Sequence, residues 1–323
     1  MTDSILEFGE IKEVYKMILY QIRETINCGL FFYIFIQLIL YKYMKINSEL
    51  PLCLLSQNND INEYDFVLFH LYISNTDYRN YYRNQRILFP GRLMILDNSA
   101  YEFFVKGEEL DFDKYVEVIL ELKPDFYILP DVLMDKDKTL KGAMDFESKY
   151  APTIMKKSLN IQPLAVAQGN SKKDLLDCLE KYRNWRFHNV AIPFHNRFFY
   201  EMGKVVPSAV QKTFTDIYGA PVTDDHLYAM GRVRFILENH TKLMDFAHVH
   251  LLGSHCPFEK LFYKELNITT MDTGYPVKCA LEGYELGKEP HKPNVIIDEF
   301  LDKELDKGTK QLIRENVLKF RHL

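Results

Sequence analysis

Short apolar segments alternate with helix-like segments from about residue 50 to residue 280, and this alternation limits the fold more than any other feature. Repeated strand–helix units with short connections produce a parallel sheet, because each helix returns the chain to the same end of the sheet. The number of units favours a (β/α)8 barrel of the TIM type over an open parallel sheet, which is the structural alternative. The sequence therefore predicts an α/β barrel with additions at both termini.

Three regions follow from this pattern. We place an N-terminal apolar extension at residues 1–43, the barrel at 44–294 and a charged C-terminal helical segment at 295–323. Residues 30–43 are strongly apolar, but this stretch is shorter than the about 20 residues that a membrane span needs. It also lacks a small-residue cleavage site typical of a signal peptide. We expect a buried or interface helix there, the alternative being a membrane anchor, and we expect no membrane partner.

Elements inside the barrel region can be assigned from apolar periodicity, turn residues and helix caps. Strands are expected at 50–55, 66–72, 93–96, 126–129, 161–167, 190–192, 249–252 and 268–271, and helices at 115–122, 136–150, 171–182, 223–238 and 258–266. Residues 78–86, between the second and third of these strands, are expected to form a polar aromatic-basic loop.

Composition excludes some classes of protein and partner. A hydrophobic content of 47% supports a large core, and a net charge of −5 gives no overall attraction to nucleic acid. Any such binding needs a local basic patch, and Arg79, Arg83 and Arg86, interleaved with tyrosines, form the candidate. A solvated loop explains the same residues. The five cysteines form no Cys-x-x-Cys pair, which favours a reducing compartment, the cytoplasm, and excludes an ordinary structural zinc site.

Most of the expected strands stop on a polar residue or a glycine. Asp97 follows residues 93–96, Asp131 follows 126–130, Gln168-Gly169 follows 164–167, Gly253 follows 249–252, and Asp272 follows 268–271. The carboxyl ends of barrel strands converge on one face, which carries the active site. Taken singly, Asp97 could cap a helix and Asp131 or Asp272 could belong to a turn. Together they predict an active site for a polar, planar substrate.

The same segments, in the same order, resemble the tRNA-guanine transglycosylases between about residues 90 and 280. Residues 97–102 are similar to that family's Asp-Ser-Gly-Gly-Phe-Gln, and residues 130–132 to the segment that carries its base-recognising Asp. Residues 167–169 are similar to its Val-Gln-Gly-Gly, and residues 190–194 to the strand that ends in Gly-Gly-Leu. Residues 251–254 are similar to its Leu-Met-Gly-Val-Gly, and residues 271–272 to the segment that carries its nucleophile. The resemblance implies a barrel enzyme that exchanges a nucleic-acid base.

Chemical roles follow from the resemblance and from the residue types. Asp272 would attack C1′ and form a glycosyl-enzyme intermediate, as in retaining glycosidases. Asp97 would act as general acid and base. Asp131 would accept hydrogen bonds from guanine N1–H and its amino group, and Gln168 would donate to O6. The target base has to leave the duplex stack, or lie in a single strand, to reach such a pocket.

Further substrate contacts are expected around these four side chains. Ser99 belongs to the first motif, and Tyr101 or Phe103 could stack on the base. Backbone groups at Gly169, Phe194 or Gly253 could complete the pocket.

The chain also departs from the family pattern. The Cys-x-Cys-x-x-Cys…His zinc site is missing, and Cys279 and His291 are too few to replace it, so we expect no metal and no cofactor. Pro193-Phe194-His195 stands where the family has Gly-Gly. The short, zinc-free chain is similar to phage-type DNA-guanine transglycosylases, which insert 7-deazaguanine bases. DNA is therefore favoured over tRNA as the partner, and a base such as preQ0 is the expected co-substrate. If the protein is phage-encoded, its expected location is the host cytoplasm.

Several alternatives stay open at this stage. The chain could be a tRNA-guanine transglycosylase, a non-catalytic transglycosylase-like subunit that binds nucleic acid, or an unrelated barrel hydrolase with two carboxylates. His248, His250 and His255 could form a metal site, although packed or surface histidines are the preferred interpretation. Arg232 and Arg234 could contact phosphate. Whether the protein forms a homodimer is not determined by the sequence.

Overall fold

The structure, a computed structural model, describes residues 44–322 apart from 158–159, 195, 206–222, 264–265, 267, 289–292, 294 and 296–298. The predicted N-terminal extension lies outside the described residues, as do His195 and His291. In the part of the chain that is described, no helix combines the length and the apolar character that a membrane crossing requires.

Eight parallel strands form one sheet that is nearly closed into a barrel, which confirms the predicted fold class. The strands are β1 (Lys45–Ser48), β2 (Asp65–Leu68), β3 (Met94–Asp97), β4 (Phe126–Ile128), β5 (Gln162–Val166), β6 (Asn189–Pro193), β7 (His248–Leu252) and β8 (Thr270–Thr273). Their order in the sheet is β1-β8-β7-β6-β5-β4-β3-β2, so each described neighbour pair except β1 and β2 is joined by a backbone ladder.

Side chains bridge the remaining gap between β1 and β2. Asn47 donates to the carbonyl of Tyr64 at 2.7 Å, and Asn62 accepts from the backbone N–H of Ser48 at 2.7 Å. The Glu63 carboxylate accepts from the N–H of Ile46 at 2.8 Å. Because these bonds satisfy polar groups that are buried, β1 is stable despite its polar sequence. This explains why apolar patterning placed the first strand at 50–55, where the structure instead has a 3-10 helix, Leu52–Gln57.

Helices cover the outside of the barrel. They are α1 (Asn58–Ile61), α2 (Phe69–Ser74), α3 (Thr76–Leu88), α4 (Ala100–Lys106), α5 (Phe112–Leu122), α6 (Lys136–Lys157), α7 (Lys172–Asn184), α8 (Arg197–Lys204), α9 (Asp224–Glu238), α10 (His240–Leu243), α11 (Tyr275–Leu281) and α12 (Lys307–His322). A 3-10 helix, Pro257–Tyr263, stands where the sequence predicted a helix at 258–266.

Local capping explains why several helix starts were predicted correctly. The Ser171 hydroxyl accepts from the N–H of Asp174 at the start of α7. Thr223 and His226 form a reciprocal capping box at the start of α9. Such signals lie within one turn of sequence, so they do not depend on distant parts of the chain.

Two other expectations about local structure were wrong. The expected strand at 66–72 ends at Leu68, and the chain then enters α2. The expected aromatic-basic loop is the helix α3, whose tyrosines Tyr78 and Tyr82 are buried against the barrel. Because α3 is rich in Arg and Asn, its composition suggested a loop although its buried residues have helical spacing.

Helices α8 and α9 pack unusually closely. A Cβ atom at Gly231 would lie 1.8 Å from the Phe199 carbonyl oxygen, so no other residue fits there without moving a helix. This contact sets the position of Arg232, the next residue of α9, beneath the carboxyl ends of β6 and β7.

Candidate active site

One cavity of about 210 Å³ opens at the carboxyl ends of the strands and brings together most of the predicted site residues. Its lining includes Asp97, Asp131, Asp272, Gln168, Tyr101, Phe194 and Gly253. Three carboxylates therefore face one space, as the convergence of parallel strand ends predicts. Ser99 and Gly169 lie behind this lining.

Asp97 is the last residue of β3. Its Oδ2 accepts from the backbone N–H of Ser99 at 2.7 Å. Burial, and then the negative charge of Glu102, raise the pKa of Asp97 well above its ordinary value. This carboxyl therefore keeps its proton to a higher pH than an ordinary aspartate does.

Ser99 supports Asp97 and does not line the cavity. Its backbone has φ of 58°, a left-handed conformation that is costly for a residue with a Cβ. Its Oγ accepts from the backbone N–H of His70 at 3.1 Å and lies 2.9 Å from His70 Nδ1. Ser99 is thus held by His70 behind the cavity lining, and a substrate contact at Ser99 stays a prediction.

Asp131 is held by two side-chain amides. Asn98 donates to Oδ1 at 2.8 Å, and Gln168 donates to Oδ2 at 2.7 Å. Burial raises the pKa of Asp131, and the two amide hydrogen bonds act in the opposite direction. Gln168 is itself fixed, because its Oε1 accepts from the N–H of Met134 at 3.1 Å. The arrangement presents a carboxylate and the second N–H of a carboxamide to a planar ligand.

Asp272 lies within β8, so the predicted strand, which stopped at Met271, was too short. Its Oδ1 accepts from the backbone N–H of Gly253 at 2.9 Å and lies 3.1 Å from His250 Nε2. Gly253 has a φ of 63°, a left-handed backbone conformation that few residues with a side chain adopt. In this conformation its N–H faces Asp272 on β8. Among the described residues, Asp272 Oδ2 accepts no hydrogen bond, so this oxygen is available to a ligand.

Some of the backbone groups predicted to contact the base are bonded within the protein. Phe194 N–H donates to the Leu252 carbonyl at 2.8 Å, and Gly253 N–H donates to Asp272. The Gly169 carbonyl accepts from Asn196 at 2.6 Å. These residues shape the pocket, and their side of it is closed by the buried Phe194 ring. Tyr101, 54% exposed, stands at the rim, whereas Phe103 is buried against Phe69.

Arg232 corrects the prediction of a phosphate contact. It is fully buried, donates to both carboxylate oxygens of Glu259 at 2.6 and 2.7 Å, and also donates to the carbonyls of Ile192, Leu252 and Gly253. Its guanidinium lies 4.9 Å from the centre of the Phe194 ring. Arg232 therefore ties the ends of β6 and β7 together under the cavity. Arg234 pairs with Glu238 on the same helix.

The three arginines predicted to bind nucleic acid do not line the cavity. Helix α3 begins after the carboxyl end of β2 and runs back toward the amino ends of the strands. There Arg86 pairs with Asp125, which directly precedes β4, and Arg83 pairs with Glu121. Only Arg79, in the first turn of α3, lies toward the cavity end, and its guanidinium donates to the carbonyls of Tyr72 and Ile73 at 3.5 Å.

The fold separates His255 from the other two histidines considered as metal ligands. His248 and His250 point into the barrel, and both contact the Thr270 hydroxyl at 2.8 Å. His255 packs on the Phe194 ring, with ring centres 5.0 Å apart, and lies near Asp225. Within the described ranges, no group of three or more His, Cys, Asp and Glu side chains is arranged to hold a metal ion.

Sequence reasoning missed several residues of the cavity. Glu49, Glu102 and Lys278 also line it, and Lys278 is the only lysine or arginine among the described lining residues. Glu49 follows β1, which apolar patterning did not find. Lys278 is on α11, the helix that directly follows the strand with Asp272. Its position only six residues after Asp272 could have indicated that it lies near the same strand end.

The fold and the site define the class of protein: a (β/α)8 barrel with a carboxylate-lined cavity at the carboxyl ends of its strands. No protein-family model and no curated protein matches this sequence.

Proposed function

We propose that this protein is a base-exchange glycosyltransferase that replaces guanine in nucleic acid, with DNA favoured, by a 7-deazaguanine base. The reaction passes through a covalent glycosyl-aspartate intermediate. The observation that carries the proposal is the meeting of Asp97, Asp131 and Asp272 in one cavity, where Asp272 is buried, Asp97 and Asp131 are half-buried, and each carboxylate has a different hydrogen-bonding environment. Breaking an N-glycosidic bond and selecting guanine require three such groups with different roles.

Asp272 is the proposed nucleophile. The backbone N–H of Gly253 donates to its Oδ1, and the His250 imidazole lies 3.1 Å from the same oxygen, which fixes the carboxylate and leaves Oδ2 for attack on C1′. A carboxylate next to C1′ also stabilises the positive charge that develops there. A fixed, negatively charged oxygen is what the first displacement needs.

Asp97 is the proposed general acid and base. Its raised pKa keeps a proton available for the departing guanine, and the ionised form that remains can deprotonate the incoming base. The neighbouring Glu102 favours the protonated form before the reaction. The difference between Asp97 and Asp272 resembles the pairing of an acid and a nucleophile in retaining glycosidases.

Asp131 and Gln168 are the proposed guanine readers. A carboxylate beside an amide N–H matches the donors N1–H and 2-amino group and the acceptor O6 of guanine. Adenine offers neither the donor pair nor the acceptor in these positions. Each buried group left unpaired by a wrong base costs about 1–3 kcal/mol, which is sufficient for base selection.

An exchange assay tests this proposal. Labelled guanine or a 7-deazaguanine such as preQ0 is offered with DNA and, separately, with tRNA, using the wild-type protein, Asp272→Asn and Asp245→Asn. We expect label to enter DNA, Asp272→Asn to lose about 10⁴-fold or more of the rate, and Asp245→Asn to match the wild type. Asp245 is a half-exposed partner of Arg183 outside the cavity lining, so it controls for the change itself.

Each other outcome removes a specific part of the proposal. Label entering tRNA alone would replace DNA by tRNA as the acceptor. Exchange at the wild-type rate by Asp272→Asn would remove Asp272 as nucleophile. No exchange with either acceptor, together with binding of an oligonucleotide, would favour the non-catalytic subunit, and release of free base without incorporation would favour a hydrolase.

A further inference from the structure

A column of polar side chains runs through the interior of the barrel and ends at Asp272. His248 and His250 alternate on β7, and Thr270 and Asp272 alternate on β8, so all four face inward. The Thr270 hydroxyl lies 2.8 Å from His248 Nε2 and 2.8 Å from His250 Nδ1, and His250 Nε2 lies 3.1 Å from Asp272 Oδ1. Each member of the column therefore contacts the next.

Aromatic neighbours fix both imidazole rings. Phe66 stacks on His250 with ring centres 5.4 Å apart and an angle of 23°, and Phe126 packs on His248 at 4.3 Å. All four column residues are buried. Rotation of the His250 ring would break the contacts at both of its nitrogens, and rotation of the His248 ring would break its Nε2 contact with Thr270, so the fold sets the partners of these three nitrogens.

Donor and acceptor counting then gives one order of protons for an ionised Asp272 beside a neutral His250 ring. A carboxylate only accepts, so His250 Nε2 carries a proton and donates it to Oδ1. The neutral ring leaves Nδ1 as an acceptor, so the Thr270 O–H donates to it. The hydroxyl has then used its one proton, and His248 Nε2–H has to be the donor to Thr270 Oγ1.

We infer that His250, held in its Nε2–H form by Thr270 and His248, is a positioning residue for Asp272; this inference rests on the proposed function. The column fixes the carboxylate by Oδ1 and directs Oδ2 toward the cavity. As Oδ2 bonds to C1′, the C1′–N9 bond breaks, and guanine leaves with its electron pair and takes the Asp97 proton. Oδ1 becomes the ester carbonyl oxygen and keeps the same two N–H donors.

Thr270→Val tests the column, because it removes the linking hydroxyl and keeps the branched shape. We expect kcat for exchange to fall about 10- to 100-fold with KM nearly unchanged, less than the about 10⁴-fold effect of the orienting aspartate in serine protease triads. Thr270→Ser keeps a hydroxyl and should restore most of the rate. Thr269→Val is the matched control, since its hydroxyl accepts only from the Val249 N–H and lies outside the column.

The outcomes separate this inference from the proposed function. An active wild type with Thr270→Val at the same kcat would overturn the inference and leave the proposed function intact. A wild type that exchanges no base would remove the proposed function and the positioning role with it.

If Thr270→Val does not fold, the order of protons in the column can be tested on the wild-type protein. ¹⁵N spectra of histidine-labelled protein at neutral pH should assign the Nε2–H form to both His250 and His248. A doubly protonated or Nδ1–H His250 would overturn the inference whatever the activity.

Discussion

At the amino ends of the strands, Asp65 accepts from Arg92 at 3.0 Å, and Asp125 accepts from two nitrogens of Arg86 at 3.0 and 3.3 Å. At the carboxyl ends, the carboxylates of Asp97, Asp131 and Asp272 meet only amides, a backbone N–H or an imidazole among the described residues. The carboxylates at both ends are buried or half-buried, but among the described residues only the amino end supplies arginine to them.

This difference indicates that the carboxylates at the amino ends contribute to stability and those at the carboxyl ends to activity. A buried carboxylate without a cation is costly, and burial raises its pKa, as for Asp97 and Asp131. A fold keeps such groups where they serve a ligand. The comparison therefore predicts that changes at the cavity end reduce activity, whereas changes at the amino end reduce stability.

After Asp272→Asn, the largest expected effect is the loss of catalysis in Asp97→Asn. Asn cannot supply a proton to the leaving guanine, so single-turnover release of guanine should slow by about 10²- to 10⁴-fold. Base binding, measured by fluorescence titration with preQ0, should stay within about threefold, because the shape of the pocket is kept. A variant that releases guanine at the wild-type rate would contradict the assignment of Asp97 as the acid.

Arg92→Met should produce the largest loss of stability. It leaves Asp65, which is 1% exposed, without its cation and also removes a donor to the Asn62 carbonyl, so unfolding in denaturant should cost about 3–5 kcal/mol less. Activity per folded molecule should not change.

Arg83→Met is the control for this variant, since the pair of Arg83 with Glu121 is exposed and contributes about 0–1 kcal/mol. Equal losses of unfolding free energy in Arg92→Met and Arg83→Met would show that burial of an ion pair does not determine its contribution to stability.

Asp131→Asn should change base selection. The variant replaces an acceptor by a donor opposite N1–H, so kcat/KM for guanine should fall by about 10- to 100-fold, corresponding to about 1–3 kcal/mol. Asp135→Asn, the same change on a carboxylate that pairs with Lys138, should have no effect. Unchanged discrimination between guanine and adenine in Asp131→Asn would contradict the role of Asp131.

The pH dependence of stability should distinguish Asp97 from an ordinary surface aspartate. Its pKa is raised on folding by burial and by Glu102, with smaller contributions from Asp272 and Asp131. The folded protein therefore holds a proton that the unfolded chain releases near about pH 4. The contribution of Asp97 is complete below that pH and is lost as pH rises through its folded pKa.

Asp97→Asn should accordingly gain stability relative to the wild type as the pH rises from about 4 to neutrality. Denaturant unfolding of both proteins at several pH values measures this gain. A constant difference between them at all pH values would show that the Asp97 pKa is not raised.

The smallest expected effect concerns the support of Asp97. Ser99→Ala loses the oxygen that accepts from His70 and keeps the left-handed backbone, so it should cost about 1–2 kcal/mol of stability. Ser99→Gly loses the same oxygen but relieves the backbone, and should recover about 0.4–1 kcal/mol of that cost. If the two variants are equally stable, Ser99 is not under backbone strain.

The sequence alone determined the barrel fold and the convergence of polar side chains at the carboxyl ends of its strands. Alternating strands and helices are specified by local periodicity and by caps such as Ser171 and Thr223, and parallel topology then gathers Asp97, Asp131 and Asp272. These inferences needed no knowledge of distant contacts.

Only the tertiary structure decided how each of these groups is used. Asn47 and Asn62 form a buried strand junction, Arg232 meets Glu259 instead of a phosphate, and His250 meets Asp272 through the barrel interior. Each of these contacts joins residues at least 14 positions apart in the chain. The charge state of a buried group depends on such partners and on the surrounding dielectric, neither of which local sequence specifies.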